Sequence, residues 1–164
     1  MDPALAAILR SFRKQRDYAQ RLTADLTGAD MVRQPISGIT LNHAAWTLSH
    51  LAPYPPILAA ILRQEPFEDP LNSPAGRGST PLPDAAAYPP KAALLEAFFT
   101  GHDDLERALE GATPADFARP IPLPRWAERF PLVGDAVVHL ALHHESAHLG
   151  QLSAWRRACG LPPV

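Results

Sequence analysis

Two histidines spaced four residues apart are the part of this chain best suited to chemistry. They belong to the stretch His144-Glu145-Ser146-Ala147-His148, inside a region whose apolar residues recur at helical spacing. Residues i and i+4 of an α-helix lie on one face, so both imidazoles can reach a single metal ion. The same five residues also spell H-E-x-x-H, the signature of zinc proteases.

A protease site of that kind takes its third ligand from residues beyond the second histidine. Only 16 residues follow His148, and none of them is His, Asp or Glu. The extended form of the motif is also absent, because Ala154 stands where its last histidine would be. We therefore expect a metal site of another kind.

The same C-terminal region contains a second pair at this spacing, His139 and His143. In an α-helix this pair falls on a small, polar strip with Ser146 and Gly150, which favours an ordinary structural role. The pair His144 and His148 instead continues a stripe of apolar residues that is expected to face the core. That stripe contains Val137, Leu140, Ala141, Leu152 and Trp155. Ligands inside a helical bundle project inward from facing helices, so His144 and His148 are the preferred pair.

Two imidazoles do not make a tight site, so a third ligand is required. His50 is the best choice, because it lies one turn after Trp46 on a predicted helix that would pack beside the C-terminal helix. His43 competes as a ligand or as a neighbour of the site, but it falls in the first turn and is expected to face solvent. His102, on another helix, is expected to be partly exposed. Three histidines with open coordination positions are typical of catalytic metal sites.

Several side chains near these histidines are candidates for supporting roles. Glu145 could act as a proton shuttle or contact a ligand, and a surface or interface carboxylate is the alternative. Gln151, one turn beyond the second histidine of the pair, could hydrogen-bond a ligating imidazole or a substrate. Trp46 is expected to be a core aromatic beside the site. Arg125 and Arg129 could meet an anionic substrate, or could remain solvated surface arginines.

Apolar spacing predicts the helices that must position these residues. The first extends from about Leu5 to Leu26, with Asp2 as N-cap and Gly28 as its stop. The second begins after Thr40 as N-cap, and prolines at 53, 55 and 56 should kink it or divide it into two short helices. The third spans about 90–110, and the fourth runs from Val133 to about residue 159, before a glycine and prolines.

Proline-rich segments at 64–90 and 111–131 connect these helices. The sequence shows neither an alternating strand pattern nor an internal repeat. We therefore predict an all-α fold, an antiparallel four-helix bundle with long Pro-rich connections, as a single domain over residues 1–164.

Composition narrows the range of partners and compartments. The formal net charge is −2 and no basic block occurs, which argues against nucleic acid as a partner. The sequence contains no apolar run long enough to span a membrane, so no membrane partner is expected. Cys159 is the only cysteine, which excludes an intramolecular disulfide and fits a reducing cytoplasm. We expect this thiol to be packed rather than catalytic.

Two segments resemble the motifs of the DinB-like (YfiT-like) metalloenzymes. Trp46-Thr47-Leu48-Ser49-His50 is similar to the W-x-x-x-H of their second helix. The stretch 134–139, followed by His144 to Leu152, is similar to their fourth-helix signature, an H-x-x-x-H with G-Q-L behind it. The two motifs lie about 90 residues apart, and together they are more specific than either alone. The chain departs from the family at Pro53-Tyr54-Pro55-Pro56, where the family helix usually continues.

The resemblance implies a four-helix bundle with a divalent ion bound by His50, His144 and His148, and it implies a homodimer. Characterised branches of the family include transferases and an isomerase that use mycothiol or bacillithiol, which are low-molecular-weight thiols. We therefore predict a divalent-metal-dependent enzyme acting on a small molecule, with a thiol-dependent S-transferase as the leading reaction. A metal-dependent hydrolase and a non-catalytic metal-binding bundle are the alternatives. Zinc or nickel are the first candidates for the metal, and iron or copper the next.

Overall fold

The computed structural model describes residues 1–69 and 74–164, and the regular structure within them is helical, as predicted. The helices are α1 (Pro3–Ala24), α2 (Ala44–Leu51), α3 (Tyr54–Arg63), α4 (Lys91–Gly111), α5 (Pro114–Phe117), α6 (Pro124–Ala127), α7 (Val133–Val137) and α8 (Glu145–Ala158). A π-helical segment, Val138–His144, joins α7 to α8 without a break. These three pieces form one continuous element, 133–158, which we call the C-terminal helix.

The first helix begins where the sequence predicts and ends earlier. The carboxylate of Asp2 accepts the backbone N–H groups two and three residues ahead, as an N-cap does. The helix ends at Ala24 rather than beside Gly28. The reason is a separate turn, in which Asp30 accepts hydrogen bonds from the backbone N–H and hydroxyl of Thr27.

The second predicted helix is divided into α2 and α3, one of the two outcomes expected from its prolines. Pro55 and Pro56 lie in the first turn of α3, where backbone N–H groups have no partner within the helix and prolines are tolerated. The predicted N-cap of α2, Thr40, is wrong. His43 caps this helix instead, because its Nδ1 accepts the backbone N–H of Trp46 at 3.2 Å.

Contacts between the helices define their directions. Helices α1 and α4 are joined by Arg13–Glu106 and Arg16–Asp103. Helix α1 and the C-terminal helix are joined by Gln15–Ala141 and Leu22–Arg156. Asn42, just before α2, and His50 in α2 contact Gln151 and His144 of the C-terminal helix. Helix α1 is therefore antiparallel to α4 and parallel to the C-terminal helix, while α2 is antiparallel to the C-terminal helix. It follows that α2 and α4 run in the same direction, and the long 64–90 connection returns the chain between them.

The core has two hydrophobic layers, one toward each end of the bundle. One layer holds Phe12, Ile61 and Leu105, and the other holds Leu22 and Leu48, each with many buried apolar neighbours. Between the layers every long helix contributes polar side chains, which we call the central polar layer. Its members are Gln15, His50, His102, His144, Glu145 and His148. Functional side chains are thus concentrated at mid-height in the bundle, where the hydrophobic core is interrupted.

Candidate metal centre

Three imidazoles from two helices converge in the central polar layer. His50 comes from the last turn of α2, and His144 and His148 come from the C-terminal helix. One ring nitrogen of each lies within 4.8 Å of a ring nitrogen of each of the others. The Nε2 atoms of His50 and His144 are 3.0 Å apart. We call these residues the histidine triad, and they are the three chosen from the sequence.

The 64–90 connection orients His50. The Nδ1–H of this imidazole donates to the backbone carbonyl of Ala75 at 2.6 Å. Because a carbonyl can only accept, Nδ1 carries the proton of the neutral ring and Nε2 keeps its lone pair directed at the other two histidines. Ala75 is itself buried, 1% exposed, so the connection packs against α2 at this point.

The environment keeps the triad in the neutral form that binds metals. The pKa of His144 is lowered to about 3, chiefly by burial and then by the neighbouring His148 and His50. The pKa of His148 is lowered to about 4, chiefly by burial and also by His50, while the nearby side chain of Gln151 opposes the shift. The pKa of His50 is lowered by burial as well, against the opposing hydrogen bond to Ala75.

Two aromatic side chains form walls around the triad. Trp46 stacks on His50, with ring centroids 4.8 Å apart and nearly parallel planes, and its indole N–H donates to the hydroxyl of Ser79 at 2.9 Å. Tyr54 meets His50 and His144 edge to face, at centroid distances of 5.6 and 5.1 Å. The sequence reasoning predicted the position of Trp46 but missed Tyr54, although the proline break after His50 is what places Tyr54 beside the triad.

A π-helical segment sets the position of His144. The predicted fourth helix has the expected extent, but it is not α-helical throughout, because its residues Val138–His144 form a wider turn. The amide of Gln15 donates to the carbonyl of Ala141 inside this segment at 3.0 Å, and its oxygen accepts the hydroxyl of Ser146, just after it, at 3.0 Å. Segments of this kind occur at functional sites, and here the segment ends on a triad histidine.

The wider turn also changes which histidines share a face. An α-helix would place His139 on a different strip from His144, and that expectation is wrong. Their ring centroids are 6.3 Å apart with the planes inclined by 26°, and both residues line one cavity. Nε2 of His139 is 2.8 Å from a guanidinium nitrogen of Arg129, so the imidazole accepts this hydrogen bond. His143, by contrast, is exposed.

Glu145 and His102 form a second polar pair, which lies outside the triad cavity. Their side chains are 2% and 0% exposed, and Nε2 of His102 is 3.0 Å from a carboxylate oxygen of Glu145. The expectations of a surface carboxylate and of a partly exposed His102 are therefore wrong. Phe12 stacks on the His102 ring at 4.3 Å. Burial raises the pKa of Glu145, and the hydrogen bond to His102 opposes this rise. The catalytic role of Glu145 stays a prediction.

The remaining candidates occupy distinct positions. His43 is fully buried, not solvent-facing as expected, and it lies outside the triad cavity with Nε2 2.9 Å from the carbonyl of Leu82. His43 affects the site indirectly, as the N-cap of the helix that carries His50. Gln151 lies next to His148, and Asn42 donates a hydrogen bond to its side-chain oxygen at 2.9 Å. Cys159 is buried, and burial raises its thiol pKa.

The triad opens into a cavity of about 550 Å³ that reaches the surface. This volume is in the usual range for small-molecule sites. Three arginines also line this cavity, Arg77, Arg125 and Arg129. Of these, Arg125 and Arg129 were candidates from the sequence and Arg77 was missed. Its signal was weak, a lone arginine between two glycines in a proline-rich segment.

The donor set fits a divalent transition metal. Two ligands at about 2.0–2.1 Å from a tetrahedral zinc ion are about 3.3 Å apart, close to the Nε2 separation in the triad. Nδ1 of His148 is buried and has no hydrogen-bond partner among the described residues, which is costly for a polar atom. Imidazoles are ligands for zinc, nickel, copper and iron. The triad can therefore hold a metal ion.

An all-α bundle with an open three-histidine site defines the class as a metal-binding helical protein. The family model of the DinB superfamily matches residues 11–152, and the chain belongs to this superfamily. No curated protein and no solved structure gives a significant match. In the part of the chain that the structure describes, none of the helices has the length and apolar character needed to cross a membrane.

Proposed function

We propose that this protein is a divalent-metal-dependent enzyme whose His50, His144 and His148 bind zinc or nickel and whose substrate is a small molecule. The observation that carries the proposal is the open donor set. Within the described residues no fourth His, Cys, Asp or Glu joins the triad, and the triad faces a cavity. Structural zinc sites are normally closed by four protein ligands, whereas catalytic ones keep an open position.

The leading reaction is a thiol-dependent S-transfer. A divalent ion in this site supplies Lewis acidity, which favours the deprotonated form of a thiol or of water. The chain's own residues orient and enclose the reactants. Trp46 and Tyr54 form apolar walls beside His50, and the bond from His50 to Ala75 fixes which nitrogen faces the cavity. Two substrates of metabolite size would meet in this cavity, because the triad lines it.

Metal content tests the site. We expect His50→Ala and His148→Ala each to lose most of the metal found in the purified wild-type protein by elemental analysis. His143→Ala is the matched control, because His143 is exposed and lies outside the triad. Full metal content in both triad variants would overturn the proposal.

Turnover assays then separate the reaction classes. A low-molecular-weight thiol and a small electrophile are offered together to the metal-loaded protein. Turnover that requires the thiol supports S-transfer, and turnover of activated esters or amides without a thiol supports a hydrolase. Full metal content without turnover in either assay would favour a non-catalytic metal-binding bundle.

Two further expectations belong with this proposal. Association into a homodimer, which the family resemblance implies, is checked by light scattering on the purified chain. The single-domain organisation over residues 1–164 is checked by calorimetry, where one domain unfolds in one cooperative transition. A cytoplasmic location and the lack of a nucleic-acid partner stay predictions from composition.

A further inference from the structure

The cavity of the triad is more cationic than the chain as a whole. Three arginines line it, Arg77, Arg125 and Arg129, against two carboxylates, that of Glu128 in its lining and that of Asp69, which pairs with Arg125. In the full sequence 15 Lys and Arg residues are outnumbered by 17 Asp and Glu residues. The excess of positive charge at this opening is therefore a local feature, and it attracts anions.

Arg125 is held in place beside the cavity. Its guanidinium forms an ion pair with Asp69 and lies 5.4 Å from the centroid of the Trp126 ring. The pair uses Nε and one terminal nitrogen of the guanidinium. The other terminal nitrogen keeps its N–H donors for a further partner. Asp69 and the Trp126 ring fix the orientation of this guanidinium, while the Asp69 carboxylate offsets part of its charge.

Arg77 has the fewest side-chain partners of the three arginines among the described residues. It lies on the 64–90 connection, and no carboxylate among the described residues forms an ion pair with it. Its position beside the cavity is close enough to Tyr54 that it acts on the phenol. Burial raises the pKa of Tyr54, and the positive charges of Arg125 and Arg77 oppose this rise. Tyr54 therefore lies near both these arginines and the triad, because its ring also contacts His50 and His144.

We propose that this cavity binds a small anionic substrate, with its carboxylate or phosphate group between Arg77 and Arg125 and its reacting end at the histidine triad. The ring of Tyr54 also lines this cavity and contacts His50 and His144. Arginine recognises both anions through the same paired N–H donors. The proposal rests on the metal-dependent function above and adds the charge class of the substrate.

A matched pair of thiols tests the charge preference. 3-Mercaptopropionate and 3-mercaptopropionamide have the same thiol and nearly the same shape, and they differ in the negative charge. Their dissociation constants are measured by calorimetry on zinc-loaded protein. We expect the acid to bind at least about tenfold more tightly than the amide, which corresponds to about 1.4 kcal/mol. We expect Arg77→Met to remove most of that difference.

Arg107→Met is the control, because it removes the same charge from an exposed residue of α4 outside this cavity. It should keep the preference for the acid. Equal affinities for the two thiols in the wild-type protein, or an unchanged preference in Arg77→Met, would overturn the anionic pocket. Failure of both thiols to bind to fully loaded protein would overturn it as well. Zinc content is measured on the same samples. If the metal site itself fails, zinc is lost; if only the anionic pocket is wrong, zinc is retained and the preference for the acid is missing.

A phosphate-bearing probe distinguishes the two anion sources. Phosphonoacetate, which carries a phosphonate and a carboxylate, is titrated in competition with 3-mercaptopropionate. Malonate is its dicarboxylate counterpart. If phosphonoacetate competes more strongly than malonate, the arginines prefer phosphate-like groups. Stronger competition by malonate assigns them to carboxylates. If neither dianion competes, the arginines do not form an anion site and the proposal is wrong.

Discussion

The imidazoles of the triad are neutral at physiological pH because burial and their mutual proximity disfavour the charged form. This is clearest for His144, whose pKa is lowered to about 3, and for His148, whose pKa is lowered to about 4. Neutral nitrogens with free lone pairs are what a metal requires. The same environment is unfavourable for the metal-free protein in acid, because protonation then competes with folding.

We predict that the metal-free protein loses stability as the pH falls from about 6.5 toward 4. In this range the unfolded histidines, with their ordinary pKa near 6.5, bind protons that native His144 and His148 do not, so acid favours the unfolded chain. Allowing for their partial exposure, we expect a loss of about 1–3 kcal/mol in the free energy of unfolding. The measurement is urea denaturation in chelator across this pH range.

The double variant His144→Asn/His148→Asn is the reference for this experiment. It removes both groups, so its stability should change less over the same pH range. Glu145 acts with the opposite sign, because its pKa is raised and the native state gains protons first. Since Glu145 is present in both proteins, its contribution cancels in the difference between them. Equal pH profiles for the two proteins would contradict the prediction.

Glu145 allows a test of whether its carboxylate holds the fold or acts in chemistry. If the carboxylate only stabilises the fold, Glu145→Gln should retain metal and turnover, because its amide still offers His102 a hydrogen-bond partner. Glu145→Ala leaves His102 without this partner inside the core and should lower the free energy of unfolding by about 2–4 kcal/mol. Both quantities are measured on the same preparations. Loss of turnover in Glu145→Gln, with metal content and stability intact, would instead assign the carboxylate to catalysis.

Among the elements, the π-helical segment explains most of the difference between what the sequence predicts and what the structure contains. Periodicity predicts the extent of the C-terminal helix. It also predicts the choice of His144 and His148, because the four residues from the end of the π-helical segment into α8 keep the spacing of one helical turn. It cannot predict the wider turn before them, because that turn depends on Gln15 from a distant helix. His139 was therefore assigned to the wrong strip.

The third ligand was predictable for a different reason. His50 follows Trp46 by one turn, and this spacing alone is weak evidence for a metal ligand. The family resemblance supported the choice of His50. The arginines of the cavity wall were predicted less well. Arg77 lines the cavity because of the path of the 64–90 connection, and a proline-rich segment has no periodicity from which such a path could be derived. The same reason explains why Ala75 was not recognised as the partner of His50.

We predict that Gln15 is a positioning residue for the metal site. Gln15→Leu keeps the size of the side chain but removes its bonds to Ala141 and Ser146. It should lower the free energy of unfolding by about 1–3 kcal/mol. Because the segment that Gln15 holds ends on His144, zinc affinity should also fall, by about tenfold or more, in a competition titration with a chromogenic chelator.

Thr23→Val is the matched control for this prediction. Thr23 is another buried polar residue of α1, and its hydroxyl bonds only to carbonyls of its own helix. This variant should keep zinc affinity, because the hydroxyl that it removes bonds within α1 and not to the C-terminal helix. If Gln15→Leu loses stability and keeps its zinc affinity, Gln15 stabilises the bundle without positioning the triad.

At the scale of the whole molecule, the central polar layer interrupts the hydrophobic core. It separates two hydrophobic layers, and its buried polar atoms contribute less stability than apolar packing unless each has a partner. The triad occupies one side of this layer and joins α2 to the C-terminal helix. A metal bound there would connect the two helices at the level where hydrophobic contacts are interrupted, so metal binding and folding should be strongly coupled.

We therefore predict that removal of the metal lowers the unfolding temperature of the entire chain and not of one region. Zinc at a concentration 100 times its dissociation constant should raise the free energy of unfolding by about 2.7 kcal/mol, and chelator should reverse the effect. Unfolding followed by tryptophan fluorescence and by circular dichroism should shift together, because Trp46 and Trp126 lie in or beside the triad cavity and the helices extend through both layers. His50→Ala should unfold at the same temperature with and without zinc. An equal zinc-dependent shift in His50→Ala would show that the stabilising ion binds elsewhere.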